Sequence, residues 1–121
     1  MKVKHALRVV LTWNAEIYPH YPDRFVSGTF YAPHIILPAD DSHTHWSVRM
    51  IIEKRVSNLS CEAKMAMLAH NYEADEFFSN LEIGTKFALS EGGSFTALGF
   101  VKEFTDHDQF QKEWKKVIIN T

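Results

Sequence analysis

The stretch Glu91-Gly92-Gly93-Ser94-Phe95-Thr96-Ala97-Leu98-Gly99-Phe100-Val101 decides the fold of this chain. Before it stands Gly84-Thr85-Lys86-Phe87-Ala88-Leu89-Ser90, and after it Lys102-Glu103-Phe104. Two apolar runs meet at a double glycine. Glycine takes positive φ without a Cβ clash, so Gly92-Gly93 predicts the tight corner of a β-hairpin. In the second run Phe95, Ala97, Gly99 and Val101 share one parity, and Leu98, Phe100 and Phe104 the other. Both faces are apolar. That suits a strand with one face filling a barrel and the other covered by a further element.

Outward from the hairpin, other segments alternate in the same way. From Val3 to Trp13, the residues Val3, Leu7, Val9, Leu11 and Trp13 oppose Lys2, Lys4, Arg8 and Thr12, which predicts a strand. His5 falls on the apolar parity and reads as a rim-of-core histidine. Asn14 to Pro33 is a long turn-rich segment with Pro19, Pro22 and Gly28 among Tyr18, Tyr21, Phe25, Phe30 and Tyr31. A loop of this length is usually functional or packed on its own aromatics. His34–Leu37 is a short apolar run, and Trp46–Glu53 alternates as a strand. Cys61–Ala69 is built from strong helix formers, and Met65, Leu68, Ala69 and Tyr72 would make a helical stripe. Cys61, Ala63, Met65, Met67 and Ala69 also alternate with Glu62 and Lys64. Propensity yields to tertiary context, and strand is the reading adopted. Asn71–Leu81 reads as a loop or a short helical turn. At the tail, Asp106 offers a helix cap with Gln109 completing a capping box. Phe110, Trp114, Val117 and Ile118 then form an apolar stripe that could cover the hairpin.

The chain has 121 residues, enough for one domain with its own core. Its net charge of −2 gives no bulk attraction to nucleic acid. The single cysteine, Cys61, excludes an internal disulfide and suits a reducing compartment. Charged residues interrupt the apolar positions near the N-terminus, and no run reaches the ~18 apolar residues of a membrane span. A cytoplasmic protein without membrane contact is expected.

The hairpin resembles the last two strands of the C-terminal β-barrel domain of elongation factor Tu. That pattern runs roughly L-x-x-G-x-x-F-x-I-R-E-G-G-R-T-V-G-x-G-x-V. Leu81, Gly84, Phe87, Leu89, Glu91, Gly92, Gly93, Gly99 and Val101 fall at matching steps. Tyr31-Ala32-Pro33-His34-Ile35 resembles the motif G-Y-R-P-Q-F that opens the family's second strand. The resemblance implies an all-β fold, a six-stranded antiparallel closed barrel over residues 1–105, with residues 106–121 added as a C-terminal helical extension of the same domain. It also implies a tRNA-contacting, partner-binding surface. Ser94 and Ala32 stand where that family has arginines, and each loss removes a charge-assisted contact to phosphate. A protein partner is therefore expected ahead of RNA.

Motifs of phosphate chemistry are missing. There is no G-x-x-x-x-G-K-[ST], so the chain is no GTPase, and there is no G-x-S-x-G, H-E-x-x-H or zinc-type cysteine pair. His43 and His45 could share a metal with Asp40 or Asp41. A solvated loop is the reading adopted there, and no metal or cofactor is expected. Glu73, Asp75 and Glu76 read as a solvated face. His34 is the nominal centre of a histidine-dependent hydrolase, an alternative that would need a carboxylate within reach. The expectation carried forward is a non-enzymatic module that binds a protein. Tyr18, Tyr21, Phe25, Tyr31, His34, Glu91, Ser94 and Phe95 would form its contact surface, since aromatic loop residues supply anchor area at low entropic cost.

Overall fold

A computed structural model describes residues 5–38, 44–68 and 71–119. Its strands are β1 (His5–Trp13), β2 (Phe30–Tyr31), β3 (His34–Ile36), β4 (Trp46–Arg55), β5 (Ser60–Met67), β6 (Lys86–Glu91) and β7 (Ser94–Asp106). Helix α1 (Tyr72–Ser79) lies between β5 and β6, and helix α2 (His107–Ile119) follows β7. A 3-10 turn spans Asp23–Phe25.

Six strands close on one another in the order β3–β6–β7–β1–β5–β4, with β4 returning to β3. Every pairing is antiparallel. The seventh strand, β2, lies outside the ring and pairs with β4 alone. It keeps the register of β3 along β4: Tyr31 faces Met50 and His34 faces Ser47. Pro33 interrupts this path because it has no N–H to give, though its carbonyl still accepts from Val48 N at 3.1 Å. The fold is thus, as expected, a six-stranded closed antiparallel barrel with a C-terminal helix, and to this it adds the outside strand β2.

Closure requires bending. The register shifts at Arg8/Val9 against β7, at Ile52/Lys54 against β5, and at Leu89/Ser90 against β7. Such bulges increase local twist, which lets a narrow barrel close. The interior is filled by alternate residues: Leu7, Val9, Leu11 and Trp13 of β1, Val48, Met50 and Ile52 of β4, and Cys61, Ala63, Met65 and Met67 of β5. Cys61–Met67 is strand, with Ala69 outside the described residues. Each of these seven residues is buried, including the outward-facing Glu62 and Lys64.

Within Asn71–Leu81, the eight residues Tyr72–Ser79 form a helix. The Asn71 side chain accepts from Ala74 N at 2.8 Å and caps α1. Ala74 and Phe78 turn into the core, and Glu73 and Glu76 stay exposed. For α2, Asp106 Oδ1 accepts from Asp108 N at 2.9 Å. Gln109 does not complete a box; its side-chain amide donates to Glu113 at 3.2 Å. One expectation is corrected. The tail does not cover the outer face of β7. Phe110 packs on Ala6, Ile51 and Ala66, with Trp114 and Val117 beside it, and Ile118 is exposed. Among the described residues, no helix is long and apolar enough to cross a membrane.

Candidate functional site

The long loop after β1 folds back over the barrel end marked by Trp13. Phe25 stacks on Trp13 at 4.0 Å and 5°. Tyr18, Tyr21 and Tyr31 meet the same indole edge-on at 6.0, 6.5 and 5.7 Å. Edge and stacked contacts of this kind add to area burial. The Tyr21 hydroxyl donates to the Phe25 carbonyl at 2.6 Å, which shapes the 3-10 turn. The loop aromatics therefore act first as a plug. Phe25 and Tyr31 are buried, and Tyr18 and Tyr21 are half-buried.

The plug is tied to the hairpin corner. Gly92 and Gly93 have φ of 55° and 86°, as a two-residue hairpin loop requires. Glu91 just before them receives Arg24 Nη2 at 2.7 Å and the Tyr31 hydroxyl at 3.0 Å. Tyr31 also shares a hydrogen bond of 2.8 Å with Thr96 Oγ1. Arg24 lies over the Phe25 ring at 4.4 Å and bonds the Tyr18 hydroxyl at 3.2 Å. Asn14 Nδ2 donates to the Phe95 carbonyl at 2.9 Å. Burial raises the phenols of Tyr21 and Tyr31, that of Tyr21 to about 12. Burial likewise pushes the Cys61 thiol to about 11, so it is not a thiolate at neutral pH.

Outside the plug the picture differs. Ser94 and Phe95 are exposed at the corner. His34 is exposed on β3, with its ring 6.0 Å from that of His45. Asp40, Asp41 and His43 lie outside the described residues, as does the His5 side chain. Among the described residues no three metal-binding side chains cluster. Beyond Phe95 the outer face of β7 carries Leu98 and Phe100. Leu98 lies between Ala88 and Thr12, and Phe100 between Lys86 and Val10. Phe95, Leu98 and Phe100 are 55%, 64% and 43% exposed. Together they make an apolar ridge that starts at the hairpin corner.

Of the eight residues picked from sequence, five lie in the plug and its tie (Tyr18, Tyr21, Phe25, Tyr31 and Glu91), while His34, Ser94 and Phe95 reach the surface. Arg24, Leu98 and Phe100 are not among those eight. Leu98 and Phe100 were visible as a second apolar parity, and only the placing of α2 shows that nothing described covers them. Arg24 carried no signal beyond its position among aromatics. No protein-family model matches the chain, and no curated protein matches it.

Proposed function

We propose that this barrel is a non-enzymatic, protein-binding module of a regulatory or immunity-type kind, working in the cytoplasm. We further propose kinship with the C-terminal barrel of elongation factor Tu. The observation that carries the binding reading is the ridge Phe95–Leu98–Phe100. Large apolar side chains in a contiguous exposed row favour a partner that removes them from water. They stand on a strand hydrogen-bonded on both sides, to β6 and β1, so little order has to be gained on binding. The plug and the Arg24–Glu91 pair hold the corner next to them. Support for kinship comes from Gly92 and Gly93, two of the matched glycines, which adopt positive φ.

The test is a paired capture. Wild type and the double variant Leu98→Glu, Phe100→Glu are each tagged and exposed to extract from the source cells. A protein held by the wild type should be lost from the variant, while the two keep similar melting temperatures. Retention of every captured protein by the variant removes the ridge as the surface. Capture of tRNA that weakens steeply with salt would favour RNA binding instead.

A further inference from the structure

Arg49 carries a buried charge that no carboxylate among the described residues pairs. It stands on the outer face of β4 across from Ala66, and 6% of it is exposed. Nε donates to the Met67 carbonyl at 3.0 Å, and Nη1 donates to Gln111 Oε1 at 2.6 Å. Nη2 is buried with no hydrogen-bond partner. Phe110 and Trp114 of α2 roof the guanidinium, with ring centroids 5.2 and 5.5 Å from Cζ. The ion pairs among the described residues use Arg8, Arg24, Lys64 and Lys102, and none reaches Arg49. Burial alone lowers the proton affinity of Arg49.

The neighbouring cation is treated differently. Lys64 Nζ donates to Glu113 of α2 at 3.0 Å and lies 3.8 Å from a Glu53 carboxylate oxygen. Helix α2 thus lays a carboxylate on one buried cation and a neutral amide on the other. Beneath it lies a floor of Ala6, Ile51 and Ala66. With α2 lifted away, this face would be a groove with an apolar floor lying between Arg49 and Lys64. Helix-in-groove recognition uses such a surface, and a planar guanidinium best matches a carboxylate that it can grip with two nitrogens.

We propose that this groove recognises a partner's amphipathic helix that carries a carboxylate where α2 carries Gln111, and that α2 is the resident helix it displaces. The occupant follows from charge complementarity. A carboxylate would give Nη2 its missing acceptor and neutralise a buried charge. A second copy of this chain does not serve, because its α2 brings the same Gln111. Displacement is within reach because α2 fully buries one side chain, Phe110. This surface is separate from the β7 ridge and does not depend on it.

The probes are two fluorescent synthetic peptides spanning residues 106–119, one native and one with Gln111→Glu. Each is titrated by anisotropy into full-length chain carrying Phe110→Ala, which loosens the resident helix. The glutamate peptide should bind about tenfold more tightly than the native one, and Arg49→Met should erase the difference. Equal affinities, or no binding by either peptide, overturn the proposal. Should Phe110→Ala fail to fold, the otherwise native full-length chain decides. Gln111→Glu should raise its melting temperature by several degrees in the presence of Arg49 and not beside Arg49→Met. No gain, or the same gain in both, overturns it.

Discussion

At Gly99 a single missing atom sets the packing of the hairpin. A Cβ there would lie 2.7 Å from Phe87 Cζ and 2.9 Å from Leu11 Cδ2. Gly99→Ala should cost about 1–3 kcal/mol by overpacking, read from urea denaturation. Gly93 differs: its φ is 86° and nothing lies within 4 Å of a Cβ. Gly93→Asn should therefore be tolerated better than Gly93→Ala, since asparagine enters the left-handed region more readily, whereas Gly99→Asn should be worse than Gly99→Ala. The need at Gly93 is local and legible from Gly92-Gly93. The need at Gly99 comes from Phe87 and Leu11, which only folding brings close. Tyr21 offers a second residue-level outcome. Burial lifts its phenol from 10.0 to about 12, so the folded chain holds a proton that the unfolded chain releases. That contribution is whole below pH 10, and is lost as pH rises toward about 12. Urea titrations of Tyr21→Phe should show a smaller loss of stability over this window than wild type. An identical loss would show that Tyr21 does not titrate this way.

Among the elements, α2 rests on few contacts. Asp106→Ala should cost about 1 kcal/mol through the lost cap. Phe110→Ala should cost about 3–5 kcal/mol, since its ring is fully buried on Ala6, Ile51 and Ala66. Ile118→Ala, at an exposed position, should change stability by no more than about 0.5 kcal/mol. A shift in urea midpoint at Ile118 as large as at Phe110 would mean that the helix packs by another face. The helical stripe was readable because Phe110, Trp114 and Val117 follow the helical period. Which sheet surface receives it was not readable, since Ala6, Ile51 and Ala66 are as plausible from sequence as Leu98 and Phe100. Strand β5 shows the converse. Its residues favour helix locally, and hydrogen bonds to β1 and β4 on either side hold it extended.

Across the whole molecule, closure sets where the fold is strongest. β1 is paired along its length with β5 and β7, and its inward side chains are fully buried. Amides of Val9 and Leu11 should exchange with solvent far more slowly than those of α2, as measured by NMR hydrogen exchange. Equal rates would mean that the barrel and α2 open as one unit. The same closure explains why the plug aromatics face inward. A barrel end left open would expose Trp13, and Phe25 stacked against it removes that surface from water.

By itself the sequence determined the local geometry: the hairpin at Gly92-Gly93, the alternating strands, the cap at Asp106 and the period of α2. These depend on backbone sterics and on neighbours a few residues apart. Tertiary structure alone decided which faces meet. It turned Phe25 and Tyr31 inward, left Leu98 and Phe100 in water, and placed Gln111 rather than a carboxylate over Arg49. Each of these depends on pairing between segments distant in sequence, where burial and charge are fixed only once the ring of strands has closed.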